Sequence, residues 1–164
     1  GQLTAKSVVT ISAYLSKLRV LGLERVGTAP AMESFMSNEN YFDNMLEDTS
    51  KMDKAVDALI LGCPNLQSLN LNCTLISDEA LTALAKSSTL VHLHLKDVEH
   101  LSDAGLQALA QRCNGLQTIE LTCCDEDSQV TDAGLLALMQ IKTMVHIGTD
   151  YELYLHAPSD FGNP

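Results

Sequence analysis

His92 and His94 are one residue apart in the stretch LVHLHLKDV, the spacing that puts two imidazoles on the same face of an extended strand. With Glu120 on the next strand, two imidazoles and a carboxylate could hold zinc and leave a coordination position for water. The same residues also suit a recognition surface, in which His94 and Glu120 form only a paired, pH-sensitive contact. That second reading weighs more, because outward strand residues in repeat proteins usually meet partners. The sequence contains no G-x-x-x-x-G-K-[ST], G-x-S-x-G, H-E-x-x-H or C-x-x-C pattern. An open repeat sheet also excludes water poorly, so the expectation is a protein that is not an enzyme and uses no cofactor.

The elements that position these residues follow from two leucine spacings. Leu18-Leu21-Leu23, Leu66-Leu69-Leu71, Leu90-Leu93-Leu95 and Leu116-Ile119-Leu121 share the pattern L-x-x-L-x-L, ending in the alternation of a half-buried strand. A degraded fifth copy starts at Met144 and Ile147. After each of three strands comes a helix opening: ISDEALTALA from Ile76, LSDAGLQALA from Leu101 and VTDAGLLALM from Val130. Ser77, Ser102 and Thr131 are natural N-caps, and the Asp after each puts negative charge on the helix N-terminus. One such unit cannot bury its apolar face alone, whereas stacked units share a continuous core. Leu3, Thr4, Val8 and Ile11 stand where Leu101, Ser102, Leu106 and Leu109 stand, so the chain opens in mid-repeat, as a piece of a longer array would.

These residues closely resemble the cysteine-containing subclass of leucine-rich repeats, of the ribonuclease-inhibitor-like group. CPNLQSLNL at Cys63, CNGLQTIEL at Cys113, Cys124 after the fourth strand and the S/T-D helix openings carry the resemblance, over about Leu3 to Gln140 less an insertion. Ser87 and Leu15 replace the first Cys of the pattern, Val98 and Val26 the second, and Cys73 sits one place early. The resemblance implies an α/β solenoid with a concave parallel sheet and convex helices, one domain of about five repeats over residues 1–164. It also implies work by binding another protein. Many members of the family are substrate receptors of F-box ubiquitin ligases, although this chain shows no F-box-like segment.

In that frame the outward strand residues are Val20, Gly22 and Glu24, then Ser68, Asn70 and Asn72, then His92, His94 and Lys96, then Thr118, Glu120 and Thr122, with His146, Gly148 and Asp150 on the degraded strand. Asn70, Asn72, His92, His94, Lys96, Glu120 and Thr122 are the candidate concave contacts. Cys63 and Cys113 fall two rungs apart, roughly 10 Å, which is too far for a disulfide. Small buried thiols are therefore expected, in a reducing, cytoplasmic setting.

Residues 27–51 interrupt the first repeat between strand and helix, and they hold Phe35, Tyr41 and Phe42 along with methionines that a plain linker would lack. DEDSQ after Cys124 enlarges the fourth strand-to-helix turn. Insertions at equivalent places emerge on one edge of a solenoid, so Phe35, Tyr41, Phe42, Asp125, Glu126 and Asp127 form a candidate lip. An acidic lip with apolar anchors suits a basic partner segment, and a loop folded back over the first repeat is the alternative. A net charge of -11 repels phosphate backbones and anionic lipid, making nucleic acid and membrane poor partners. Two further alternatives stay open: an architectural segment of a large assembly, docked by its helices or lip, and a metal-dependent site at His92, His94 and Glu120. The tail from Met144 reads equally as a strand with a cap or as the start of another repeat.

Overall fold

A computed structural model describes residues 3–26, 41–98, 100–121, 129–149 and 155–156, with backbone alone for 41–47 and 155–156. Strand and helix alternate along the chain: α1 Ala5–Tyr14, β1 Val20–Gly22, α2 Tyr41–Gly62, β2 Ser68–Asn70, α3 Asp78–Leu84, β3 His92–Leu95, α4 Asp103–Arg112, β4 Thr118–Leu121, α5 Asp132–Leu138, β5 His146–Gly148 and β6 Leu155–His156. The strands form one sheet in chain order, parallel from β1 to β5. Each helix packs on the next, α1 through α5, as the second layer. This is the α/β repeat solenoid that the leucine spacing predicts. β6 differs, because it pairs with β5 antiparallel, His146 opposite His156. Residues 155–156 therefore run back along the edge of β5.

Register follows the leucines. Leu21, Leu69, Leu93, Ile119 and Ile147 stack as one column, and of these Leu69, Leu93 and Ile119 are fully buried. Complete burial of one such side chain contributes about 1.5–3 kcal/mol, so the column is a main source of stability. A one-residue slip would turn every leucine outward, which fixes the register firmly.

The helices show why the S/T-D pairs recur. The hydroxyls of Ser77, Ser102 and Thr131 accept the N–H of Glu79, Ala104 and Ala133 at 3.2, 3.1 and 3.2 Å, capping α3, α4 and α5. Each cap is in turn gripped by the unit before it. Asp53 accepts Ser77 N–H at 2.9 Å and its hydroxyl at 2.6 Å. Asp78 does the same for Ser102 at 2.9 and 2.5 Å, and Asp103 for Thr131 at 2.7 and 2.6 Å. The sequence assigns Asp78 and Asp103 to the dipole of their own helix; in the fold, the carboxylates of Asp53, Asp78 and Asp103 reach across to the following unit. The space above the Asp78 and Asp103 carboxylates is closed to a side chain, whereas α3 carries Ala80 at the equivalent place. A Cβ on Gly105 would stand 2.1 Å from Asp78 Oδ1, and one on Gly134 would stand 2.5 Å from Asp103 Oδ1.

One boundary moves. The helix expected near Met52 begins at Tyr41, so the second half of the 27–51 interruption is helix, and Tyr41 and Phe42 open α2 where a free lip was expected. Asp53 still occupies the position of Asp78 and Asp103, with Val56 and Leu59 buried where Leu81 and Leu84 are. Residues 41–52 thus extend a repeat helix toward its N-terminus.

Candidate functional site: the outward face of the sheet

Strand alternation sends Leu93 and Leu95 into the core and His92 and His94 outward, with His92 exposed and His94 half-buried. Parallel pairing without slip then lines up two rows. Val20, Ser68, His92, Thr118 and His146 form the first, and Gly22, Asn70, His94, Glu120 and Gly148 the second. Glu120 stands directly across from His94, as the repeat alignment predicts.

Glu120 is the hub. Its Oε2 lies 3.1 Å from His94 Nδ1 and 3.1 Å from Lys96 Nζ. Burial by itself would raise the Glu120 carboxyl, but the Lys96 ammonium and the His94 ring outweigh it and hold the group below its ordinary range. Each pair is about a third exposed, where ion pairs contribute about 0–1 kcal/mol, so the network orients side chains more than it stabilises the fold. Asp103 behaves likewise. Its burial is overcome by the Thr131 hydroxyl and the Thr131 and Gly134 N–H groups, and its carboxyl is also lowered. A lowered folded-state pKa gives stability that is present above the ordinary carboxylate range, about pH 4, and lost as pH falls through the folded value. Glu120→Gln should therefore be less stable than the parent at neutral pH and equal to it in strong acid. Urea titrations across that window measure the difference.

His92 turns away from this hub. Its Nδ1 is 2.8 Å from Thr118 Oγ1. The proposed zinc set of His92, His94 and Glu120 is therefore not assembled, because the strand pleat gives each imidazole its own cross-strand neighbour. Among the described residues no three His, Cys, Asp or Glu side chains group to hold a metal ion.

The two asparagines act within the fold. Asn70 Oδ1 accepts Asn72 N–H at 2.9 Å, and Asn72 Oδ1 accepts Lys96 N–H at 2.8 Å. They satisfy backbone donors where the chain leaves the sheet, a role that spacing alone does not reveal. Just beyond them Arg25, Cys73 and Asp97 adopt φ of 60, 55 and 55°, the same left-handed turn in successive units. The Cys73 thiol donates to Asp97 Oδ2 at 3.6 Å. Cys63 and Cys113 are free and buried, and each aims its sulfur at the preceding unit: Cys63 at Leu15 O, 3.3 Å away, and Cys113 at Ser87 O, 4.0 Å away. Thr122, Phe35, Asp125, Glu126 and Asp127 lie outside the described residues, as do the side chains of Tyr41 and Phe42.

Residues 62–85 and 86–110 each match the family model described as Leucine Rich repeat. The fold is thus an α/β repeat solenoid that carries leucine-rich repeats over residues 62–110. Among solved structures it is similar to a chain in the crystal structure of the yeast Rad7 and Elc1 complex, with 25% identity and a TM-score of 0.49. That match covers 79% of this chain and 35% of the other, so this chain spans about a third of its length. It is also similar to the tropomodulin C-terminal domain of Caenorhabditis elegans, with 10% identity, a TM-score of 0.43, and coverage of 84% and 92%. Among the described residues no helix is long and apolar enough to cross a membrane.

The inter-unit aspartates and their glycines are what sequence reading missed. The signal was available, since an S/T-D pair recurs in register and is followed two residues later by Gly105 or Gly134.

Proposed function

We propose that this leucine-rich-repeat solenoid is a non-catalytic protein-interaction module that reads its partner with the outward face of β2 to β4. The observation that carries this reading is the His94–Glu120–Lys96 network beside the His92–Thr118 pair. These polar groups are fixed by cross-strand contacts on a rigid sheet and directed outward. Orientation set before binding lowers the entropy lost on association, which is what a recognition surface requires. The finer reading is the substrate-recognition part of a larger protein of the F-box ubiquitin-ligase type, in a reducing, cytoplasmic setting. It rests on the resemblance of the repeat pattern and on the free thiols. Attraction of a basic segment by Asp125, Glu126 and Asp127 belongs to the same proposal, supported by the net charge of -11.

The test is a quantitative pull-down from source-cell lysate, comparing the parent with a His92→Ala, His94→Ala, Glu120→Ala variant whose circular dichroism is unchanged. Partners captured by the parent should fall at least tenfold with the variant. The parent's on-rate for them should drop with salt, and that dependence should shrink when Asp125, Glu126 and Asp127 are neutralised. Equal capture by both proteins would move the binding surface to the helices and favour an architectural role.

A further inference from the structure

Two side chains in the second outward row are each tied through one polar atom, and the tie fixes the chemistry of the atom left over. Asn70 Oδ1 accepts the N–H of Asn72 at 2.9 Å. A backbone N–H only donates, so the tied atom is the carboxamide oxygen, and Nδ2 with its two donors is left over. His94 is tied through Nδ1, 3.1 Å from Glu120 Oε2. Glu120 is held below the ordinary carboxylate range, and an ionised carboxylate only accepts, so Nδ1 carries the proton. The Lys96 ammonium, 3.1 Å from the same oxygen, already matches the single negative charge. A neutral ring completes the set, and its Nε2 is then an acceptor.

Asn70 Nδ2 and His94 Nε2 bond no other described residue, and both stay open to solvent. Asn70 and His94 are register partners on β2 and β3, so a donor and an acceptor stand on adjacent strands, roughly 4.8 Å apart at the backbone. Approach is unobstructed on the β1 side, where a Cβ on Gly22 would meet nothing within 4 Å. A donor beside an acceptor, on a patch with no net charge, is the complement of a carboxamide: its oxygen takes the donor and its N–H takes the acceptor. A carboxylate has no proton for His94 Nε2, and an ammonium would face the Asn70 and Lys96 donors. A hydroxyl has one heavy atom to share between side chains rising from separate strands.

We propose that Asn70 and His94 form a subsite of the sheet face that reads the side-chain carboxamide of an Asn or Gln in the partner protein. Glu120 is the positioning residue, since it fixes which ring nitrogen of His94 faces the partner as an acceptor. This assignment rests on the sheet-face reading above and names the group that face recognises.

Nitrogen-labelled full chain, examined by proton–nitrogen correlation NMR above the range in which histidine is ordinarily charged, should show His94 with its proton on Nδ1. Glu120→Ala should return the ring to a mixture of tautomers. Labelled chain is then incubated with resin-bound peptide pools, each with one residue type fixed at a central position. Pools fixed at Asn or Gln should retain about fivefold more chain than pools fixed at Asp, Glu, Lys or Ser. His94→Ala, folded by circular dichroism, should remove that preference. Asn70→Asp keeps the acceptor for Asn72 N–H but loses the donors, and it should shift the preference to Lys. A proton on Nε2 in the parent would overturn the proposal whatever binds. Pools retained with no preference for Asn or Gln would overturn it and leave the sheet-face reading standing. Retention of no pool above bare resin would overturn both.

Discussion

Leu93→Ala is expected to lower the unfolding free energy by about 3–4 kcal/mol, more than any single change on the sheet's outer face. Leu93 is fully buried on β3, the middle parallel strand, between Leu69 and Ile119. Truncation removes the transfer energy of three carbons and leaves a cavity that two rigid neighbouring rungs cannot close, the setting in which Leu→Ala costs most. Position within the array matters as much as burial. Stability in a stacked repeat is close to a sum of unit and nearest-neighbour terms, so damage in the middle weakens coupling on both sides. Leu21→Ala, in the same column on the outermost strand β1 and only partly buried, should cost less than half as much. Urea unfolding followed by circular dichroism tests both. Equal losses at the two positions would contradict the nearest-neighbour account.

Asp78→Ala is expected to cost about 2–3 kcal/mol, although the residue is only half-buried. The carboxylate receives the N–H and hydroxyl of Ser102, and hydrogen bonds to a charged acceptor contribute about 1.5–3 kcal/mol each before the loss is moderated by solvent. The substitution also orphans the Ser102 N–H between two units. Asp78→Asn keeps one acceptor oxygen and should lose roughly half as much. Asp132→Ala is the internal control. The same residue type at the same place in a repeat, with no partner among the described residues, should change stability by less than about 0.5 kcal/mol. If Asp132→Ala were as damaging as Asp78→Ala, the aspartates would be acting on their own helices through the dipole and not on the next unit. Thermal or urea melts of the three variants separate these accounts.

The Asp78 contact stabilises by joining one unit to the next. The outward face of the sheet is prepared differently. There the orienting contacts are internal ion pairs worth little in stability, and their value lies in holding His94, Lys96 and Glu120 in place for a partner.

Much of this protein is legible in its residues alone. The alternation in L-x-x-L-x-L and the Ser or Thr before each helix specify strand, cap and helix locally, since a side-chain period and a capping hydroxyl need only neighbours in sequence. Once those units are stacked in register, the rows of the outward face follow, and His94 meets Glu120 as the alignment requires. Other features needed the tertiary structure. The early start of α2 at Tyr41 has no repeat signal to announce it. The turn of His92 toward Thr118, which breaks the zinc set, is a choice among side-chain orientations that spacing does not fix. The grip of Asp53, Asp78 and Asp103 on the following unit joins residues 24 to 28 positions apart. Sequence pattern shows which residues share a face, but whether a carboxylate serves its own helix or the next depends on how closely the units pack. At Asp78 and Asp103 the helices approach closely enough that only Gly105 and Gly134 fit above the carboxylates.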